Sequence, residues 1–551
     1  MHSSGVLPLF QAFLADGAAL SMALTLPVVV LLLFFRSLSI ARHDEDDSPI
    51  TLPASGLFTI APFFRSRFDF LTSSFKLSGR AIFQFNLWRA TVIAVSGDVG
   101  RREFFTSKGL DINEGFKFLS GAIPMLPGVT SDLQSRRISL IHKRLSAAQN
   151  SEQLSRLLPK ILADSDKVMH SWGQSGTLDP FESIPRLIFQ TTVRSLASSE
   201  LADDEVLVAR LKELYDELDV STTPASVLFP WFPSPSMVRK LLATKKIYDI
   251  VNHAIETRAN SGLPGDDTLQ LLLDSGDDRL VVLGFIMGLL VAGARSTGTT
   301  ASWLLTFLTG HPEWKSKAEA EVRKLIHEHS AAPGLASSAT SPSYPVPTPC
   351  LDSNSDSSHP SQHPSVPAFS SPSFAELSNC EKLSSIPLEA WESETPVLDA
   401  LIRETLRVAQ PHTAMRRNMG PDTFINGTKI PSGAYVVYPF SDVHLNPELY
   451  PDPWKFDPAR PEHKMPMGYV GWGGGRVTCL GQRLAKLELK LVTSLFLLEF
   501  SSGLVDKSGR VPDPLPRPNW NDALFCKPPA GSCFIQYAKD PCTIPSLTSQ
   551  T

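Results

Sequence analysis

The chain has 551 residues, of which 42% are hydrophobic, and its formal net charge is −5 at pH 7. That apolar share is typical of an ordinary globular protein with a substantial core. The acidic balance and the absence of a long Lys/Arg run argue against nucleic-acid binding, and six cysteines in so long a chain do not indicate a disulfide framework.

The first feature along the chain is an uncharged apolar stretch at residues 17–35. At about 1.5 Å per helical residue it nearly spans a bilayer core of about 30 Å. Arg36 and Arg42 follow it and Asp16 precedes it, which places the rest of the chain on the cytoplasmic side. A cleaved signal peptide is the alternative, but it would need a basic start and a shorter apolar stretch. The predicted divisions are a luminal N-terminus at 1–16, a transmembrane anchor at 17–35, a linker at 36–65 and a folded domain at 66–545.

Helical hydrophobic patterns dominate after the linker. They cover residues 131–148, 203–218, 237–258, 280–308, 311–329, 394–408 and 482–500. Short strands around turns are predicted within 423–438, where Asn426-Gly427 and Pro431-Ser432-Gly433 are turn signals. These patterns predict a mainly α protein with small β-sheets (α+β).

One segment interrupts the helical pattern. Residues 330–373 are rich in Ser, Pro and Ala, with almost no charge and few large aliphatic side chains. Such a composition buries too little apolar surface to offset the entropy lost on ordering. We therefore predict a disordered insertion there.

Two segments are informative only together with a third. Glu404 and Arg407 are three residues apart on a predicted helix, so they share a face and can pair, as many surface residues do. The stretch 450–460 is a Pro-rich loop that ends in Arg460.

The third segment, residues 472–481, reads WGGGRVTCLG. Three consecutive glycines let the backbone turn tightly and approach a bulky flat object. Cys479 lies just before a predicted helix, and a helix N-terminus favours the thiolate. The alternative is a Gly-rich surface loop with a buried cysteine.

In this order, the three segments resemble the Glu-x-x-Arg helix, the meander and the cysteine loop of the cytochrome P-450 superfamily of haem-thiolate monooxygenases. The resemblance implies the P-450 fold and a haem b whose axial iron ligand is Cys479. It also implies that Glu404, Arg407 and Arg460 form a buried charge network that braces the cysteine loop. A thiolate ligand favours cleavage of the O–O bond.

Further residues match the family's haem-binding positions. Arg476 and Arg417, or the neighbouring Arg416, are implied to bind propionates, and Trp472 and Gly475 to border the haem. Val477 holds the usual place of the loop arginine, and Arg476 stands one residue earlier, as in the sterol 14-demethylase branch and some fungal relatives.

The family pattern leaves two more assignments. His444 matches a histidine that usually precedes the meander, whereas Arg136 and Arg137 are only weak candidates for the arginine of the family's Trp-x-x-x-Arg helix.

The long helix departs from the family pattern at the turn that relays protons during oxygen activation. Residues 292–297 read AGARST, so that Arg295 replaces the usual acid and Ser296 the first threonine, with Thr297 in support. Arg295 either faces the distal pocket, with a substrate carboxylate or a network of water and Ser296 as its partner, or forms a surface salt bridge without a catalytic role.

The resemblance implies insertion of one oxygen atom from O2 into an apolar small molecule, such as a terpenoid or another secondary metabolite. Electrons would come from NADPH through NADPH-cytochrome P-450 reductase at the cytoplasmic face of the endoplasmic reticulum membrane. The first alternative is a reductase-independent isomerase or peroxygenase in which Arg295 holds a substrate carboxylate. The second is a non-catalytic haem-binding protein.

Overall fold

The computed structural model describes residues 47–53, 56–120, 135–229, 232–262, 264–330, 377–462 and 465–539. The anchor predicted at 17–35 lies outside the described residues, as does the predicted insertion except for its first residue. The side chains of Arg136 and Arg137 also lie outside the described part.

Helices form most of the described structure. They are α1 (Ile60–Arg65), α2 (Arg67–Ser78), α3 (Gly97–Thr106), α4 (Ile112–Ser120), α5 (Ser135–Ala148), α6 (Ser151–His170), α7 (Pro180–Leu196), α8 (Ser199–Asp203), α9 (Glu205–Val220), α10 (Pro224–Leu228), α11 (Pro235–Ser261), α12 (Thr268–Asp274), α13 (Arg279–Gly310), α14 (Pro312–Ser330), α15 (Asn379–Ser384), α16 (Leu388–Ser393), α17 (Pro396–Val408), α18 (Ser441–His444) and α19 (Gln482–Glu499).

The strands are short. They are β1 (Ile50–Thr51), β2 (Ile82–Leu87), β3 (Ala90–Val95), β4 (Leu110–Asp111), β5 (Ser175–Leu178), β6 (Thr413–Asn418), β7 (Thr423–Ile425), β8 (Thr428–Ile430), β9 (Tyr435–Pro439), β10 (Gly473–Gly474), β11 (Val477–Thr478), β12 (Phe500–Val505) and β13 (Phe534–Lys539). The largest sheet has the order β1-β2-β3-β9-β6-β4, a second has the order β12-β13-β5, and β7-β8 and β10-β11 are hairpins. The prediction of a mainly α protein with small sheets is confirmed.

The packed domain begins earlier in the chain than predicted. Strand β1 pairs in parallel with β2, and Phe63 of α1 is fully buried against the same sheet. Both elements lie within the segment that the sequence analysis treats as a linker. Residues 57–64 are rich in apolar side chains, and the tertiary contacts identify them as part of the domain rather than as a linker.

Helix α13 is the centre of the helical core. The Asp278 side chain caps its start by accepting a hydrogen bond from the Leu280 N–H. The helix packs against α7, α11, α17 and α19, and most residues of its second half are buried. In the described part of the chain it is the one helix long and apolar enough to cross a membrane, with a mean hydropathy of 1.9. Its neighbours on several sides identify it instead as a core helix.

Candidate active site

The cysteine loop is a tight hairpin between β10 and β11. Gly473 pairs with Thr478, and Gly474 with Val477. The hairpin closes where the Cys479 N–H donates to the Trp472 carbonyl at 2.7 Å. Glycine is required at position 475, where φ is +58° and a Cβ atom would lie 2.6 Å from the Phe105 carbonyl oxygen.

Cys479 ends this hairpin three residues before α19 begins, and it is exposed. The surrounding protein nevertheless desolvates the thiolate and raises the thiol pKa, while a hydrogen bond from the Gly481 N–H lowers it. Cys526 and Cys533, by contrast, are buried, and burial raises the pKa of Cys533 to about 12. Cys479 is therefore the described cysteine best placed to reach a bound group.

Glu404, Arg407 and Arg460 form one connected charge network. Arg407 donates two hydrogen bonds to Glu404, at 2.8 and 2.7 Å, and Arg460 Nε donates to Glu404 Oε1 at 3.1 Å. The Glu404 and Arg407 side chains are 5% and 1% exposed. Two cations therefore compensate one buried carboxylate.

The network reaches the meander through backbone carbonyls. Arg407 donates to the carbonyls of His444, Pro453 and Lys455, at 2.8, 2.6 and 3.1 Å. Arg460 donates to those of Pro451 and Asp452, at 2.7 and 2.9 Å. The charged residues thus hold the loop at residues 450–460, which matches the meander of the P-450 pattern.

Three other side chains fix the segment that leads into the cysteine loop. Tyr450 Oη donates to the Gly468 carbonyl at 2.7 Å, and Gln410 Nε2 donates to the Gly471 carbonyl at 2.9 Å. Between them, the Val470 N–H donates to His444 Nε2 at 3.1 Å. Burial, with Arg407 nearby, lowers the His444 pKa to about 3, so the ring is neutral and its Nε2 is free to accept.

The arginines assigned to the propionates have different surroundings. Arg476 is exposed and has no ion-pair partner among the described residues. Arg416 is 2% exposed, lies over the rings of Phe104 and Phe105, and has a buried Nε without a partner. Arg417 instead donates to the Gly433 carbonyl at 3.1 Å. Arg416 is thus on the side of Phe105, which contacts the cysteine loop, and Arg417 is on the other side.

The turn at residues 292–297 presents its side chains in three directions. Arg295 lines a cavity and forms an ion pair with Asp219 of α9. Ser296 is exposed and bonds back to the Ala292 carbonyl at 3.0 Å, whereas Thr297 is buried. The structure therefore gives Arg295 a partly buried salt bridge rather than a surface one, and its place in the distal pocket stays a prediction.

These surroundings fit a haem. Gly288, Ala292 and Ser296 form an exposed stripe, at four-residue spacing, on a helix whose other faces are largely covered. Such a stripe leaves one face of the central helix free to lie against a bound group. The exposed thiol of Cys479 would serve as the iron ligand, and Arg476, which has no ion-pair partner in the described part of the chain, would serve as the partner of a propionate.

Four residues of this region have no counterpart among the sequence predictions. They are Gln410, Tyr450, Asp219 and Gln149, which donates to the Leu480 carbonyl at 2.9 Å. The two glutamines and Tyr450 bind backbone atoms, which leave no trace in a motif, and Asp219 lies far from Arg295 in the sequence. A carboxylate on the inward face of α9 is the one sequence signal that could have indicated a partner for the arginine.

Comparisons with a family model and with individual proteins all match this chain to cytochromes P450. A family model described as Cytochrome P450 matches residues 140–339 and 387–533. Cytochrome P450 monooxygenase AacuE of Aspergillus aculeatus is 27% identical over 506 residues, which cover 87% of this chain and 92% of that relative. Lanosterol 14-alpha demethylase of Mus musculus is 25% identical over 458 residues, covering 81% of this chain and 80% of the relative.

A solved structure shares the fold. Retinoic acid-bound cyanobacterial CYP120A1 superposes with a TM-score of 0.64 at 21% identity, covering 90% of this chain and 99% of that chain. The matched family segments include both the long helix α13 and the cysteine loop.

Proposed function

The chain belongs to the cytochrome P450 family, and from that premise we propose that it inserts one oxygen atom from O2 into an apolar small molecule. A terpenoid or another secondary metabolite is the class of substrate that we favour, because the relative AacuE is a fungal P450 monooxygenase. Haem b, held by Cys479, supplies the oxygen activation.

The observation that carries this proposal is the exposed thiol of Cys479 at the end of a hairpin that many contacts brace. The Glu404 network and the His444 hydrogen bond fix the segments around the hairpin. A thiolate on so rigid a loop can keep one geometry toward iron, and second-shell hydrogen bonds of this kind tune such ligands.

The haem contacts follow from the same placement. Arg476 and one of Arg416 and Arg417 bind the propionates, while Trp472 and Gly475 border the ring. The Ser296 hydroxyl, which donates to the Ala292 carbonyl, would hold a proton near the reacting centre, with Thr297 in support.

The proposal includes a partner and a location. We propose that NADPH-cytochrome P-450 reductase delivers the electrons, and that residues 17–35 anchor the domain to the cytoplasmic face of the endoplasmic reticulum. Alkaline carbonate should then fail to extract the protein from microsomes. External protease should digest the domain, and protection of the domain would contradict this topology.

The reductase-independent alternative required Arg295 to hold a substrate carboxylate. Its ion pair with Asp219 disfavours that role, because the guanidinium already has an anionic partner. Product formation with added peroxide but without reductase would restore the alternative.

The ligand assignment is tested with microsomal protein and the variants Cys479→Ser and Cys380→Ala. The reduced carbon-monoxide complex of the wild type and of Cys380→Ala should show the red-shifted Soret band of thiolate ligation. Cys479→Ser should lose it, and retention of the band there would refute the assignment. With NADPH and reductase, isotopically labelled O2 should place one labelled atom in the product, whereas label from water would refute oxygen insertion.

A further inference from the structure

A cavity of about 470 Å³ lies between α9, α11 and α13, a volume within the range of small-molecule sites. Its walls are mostly apolar and rich in rings. The ring-bearing residues that line it are Phe64, Phe116, Phe189, Tyr215, His412 and Phe525. Such walls fit a ring-containing ligand, because aromatic side chains pack well against flat rings.

One end of this α9–α13 cavity carries charges that already have partners. Arg295 of α13 pairs with Asp219 of α9, and the Asp219 side chain is only 13% exposed. Asp216, one turn earlier on α9, pairs with Lys212, two turns earlier, at 2.5 Å. A ligand group that reaches Arg295 or Lys212 therefore meets an ion that is already paired. Two other cations of the cavity wall are held by neutral acceptors: Arg67 donates to the Phe63 carbonyl and Lys240 to the Thr222 hydroxyl, both at 3.2 Å.

The pairing determines which ligand charge the site accepts. Burial lowers the pKa of Arg295 to about 10, so the guanidinium is still a cation at neutral pH. A substrate carboxylate could bind Arg295 in two ways. It could displace Asp219, which would leave the Asp219 side chain buried without a counter-charge. It could instead join Asp219 and Asp216 as a third anion near the same cation. Both outcomes are unfavourable in a poorly solvated site.

Hydrogen-bond donors remain after the pairing. Arg295 uses Nη2 for Asp219, its Nε has no partner, and its Nη1 forms no hydrogen bond with a described residue. Thr299 lies one helical turn further along the same face of α13, also lines the cavity, and has a buried hydroxyl without a partner. Together these two residues can hold a neutral oxygen acceptor.

We propose that the substrate is a neutral, ring-containing molecule with a hydrogen-bond-accepting oxygen, that Arg295 and Thr299 hold this oxygen, and that Asp219 prevents Arg295 from binding a substrate carboxylate. The inference rests on the proposed function and deepens it. Asp219 is then a specificity-determining residue, although it lies on α9 and the turn at residues 292–297 lies on α13.

Equilibrium binding to the ferric holoenzyme tests the inference. Three probes share the naphthalene ring system and differ in one substituent. 2-Acetylnaphthalene carries a ketone, 2-ethylnaphthalene a hydrocarbon chain and 2-naphthoate a carboxylate. Affinity is read from the high-spin shift of the Soret band and, independently, by calorimetry. Wild-type protein should bind the ketone about tenfold more tightly than the hydrocarbon, since a hydrogen bond from a cation contributes about that factor, and should bind the carboxylate most weakly.

Three variants separate the roles. Arg295→Met should abolish the preference for the ketone, and Thr299→Val should reduce it. Asp219→Asn should raise naphthoate affinity about tenfold or more, because the cation then lacks its partner. Glu213→Gln is the control, because it removes a carboxylate from the same helix that pairs with Arg210 at the surface, and it should leave all three affinities unchanged.

Two results would overturn the inference: wild-type protein that prefers naphthoate to the ketone, or Asp219→Asn that leaves naphthoate binding as it was. Either can occur in protein that keeps the red-shifted carbon-monoxide band and oxidises substrates with NADPH and reductase. Failure of the proposed function would instead remove that band or that turnover, so the two failures are distinguishable.

Discussion

Replacement of His444 by glutamine should make the protein more resistant to acid. Burial and the neighbouring cations Arg407 and Arg101 lower the pKa of His444 from an ordinary value of 6.5 to about 3. Between these two values the unfolded chain binds a proton that the folded protein excludes, so stability falls as the pH falls. The loss is about 2 kcal/mol at pH 5 relative to pH 8, and about 5 kcal/mol below both pKa values.

Glutamine keeps an oxygen that can accept the Val470 N–H, but it does not titrate. Urea unfolding at pH 8 and pH 5, followed by tryptophan fluorescence and by the Soret band, should show that His444→Gln loses about 2 kcal/mol less than the wild type over this interval. His412, whose pKa burial and Arg67 lower to about 4, should behave in the same way when replaced. Equal losses in His444→Gln and wild type would show that His444 is not the buried neutral group described above.

Three further changes test other parts of the site. Glu404→Gln leaves Arg407 with a buried charge and no carboxylate, and it should lower the free energy of unfolding by about 3–5 kcal/mol and diminish the carbon-monoxide band. Gly475→Ala should prevent haem incorporation because its Cβ would collide with a backbone carbonyl, whereas Gly481→Ala, with nothing within 4 Å, should incorporate haem normally. Replacement of residues 330–373 by a short Gly/Ser linker should preserve the haem spectrum, and loss of haem would show that the segment packs.

The sequence predicts the helical framework well because its signals are local. The apolar run that became α13 and the Glu404–Arg407 spacing depend on neighbours within a few residues, and the structure places both as expected. The position of Arg295 was left between a pocket and a salt bridge because its partner, Asp219, lies on another helix. Only the packing of α9 over α13 shows the ion pair, and the distal-pocket assignment of Arg295 stays a prediction.

The cysteine loop is also held at both ends by residues that are distant in the sequence, which local sequence signals cannot reveal. Before the loop, Gln410 donates to the Gly471 carbonyl. After it, Gln149 donates to the Leu480 carbonyl at 2.9 Å and accepts from the Leu484 N–H at 3.1 Å. Both glutamines bind backbone atoms of the loop. These contacts require a glutamine side chain of the right length and direction, but they do not depend on which residues form the loop. A sequence motif can therefore predict the iron ligand, while the side chains that hold the loop in place lie next to helix ends that only the fold brings near.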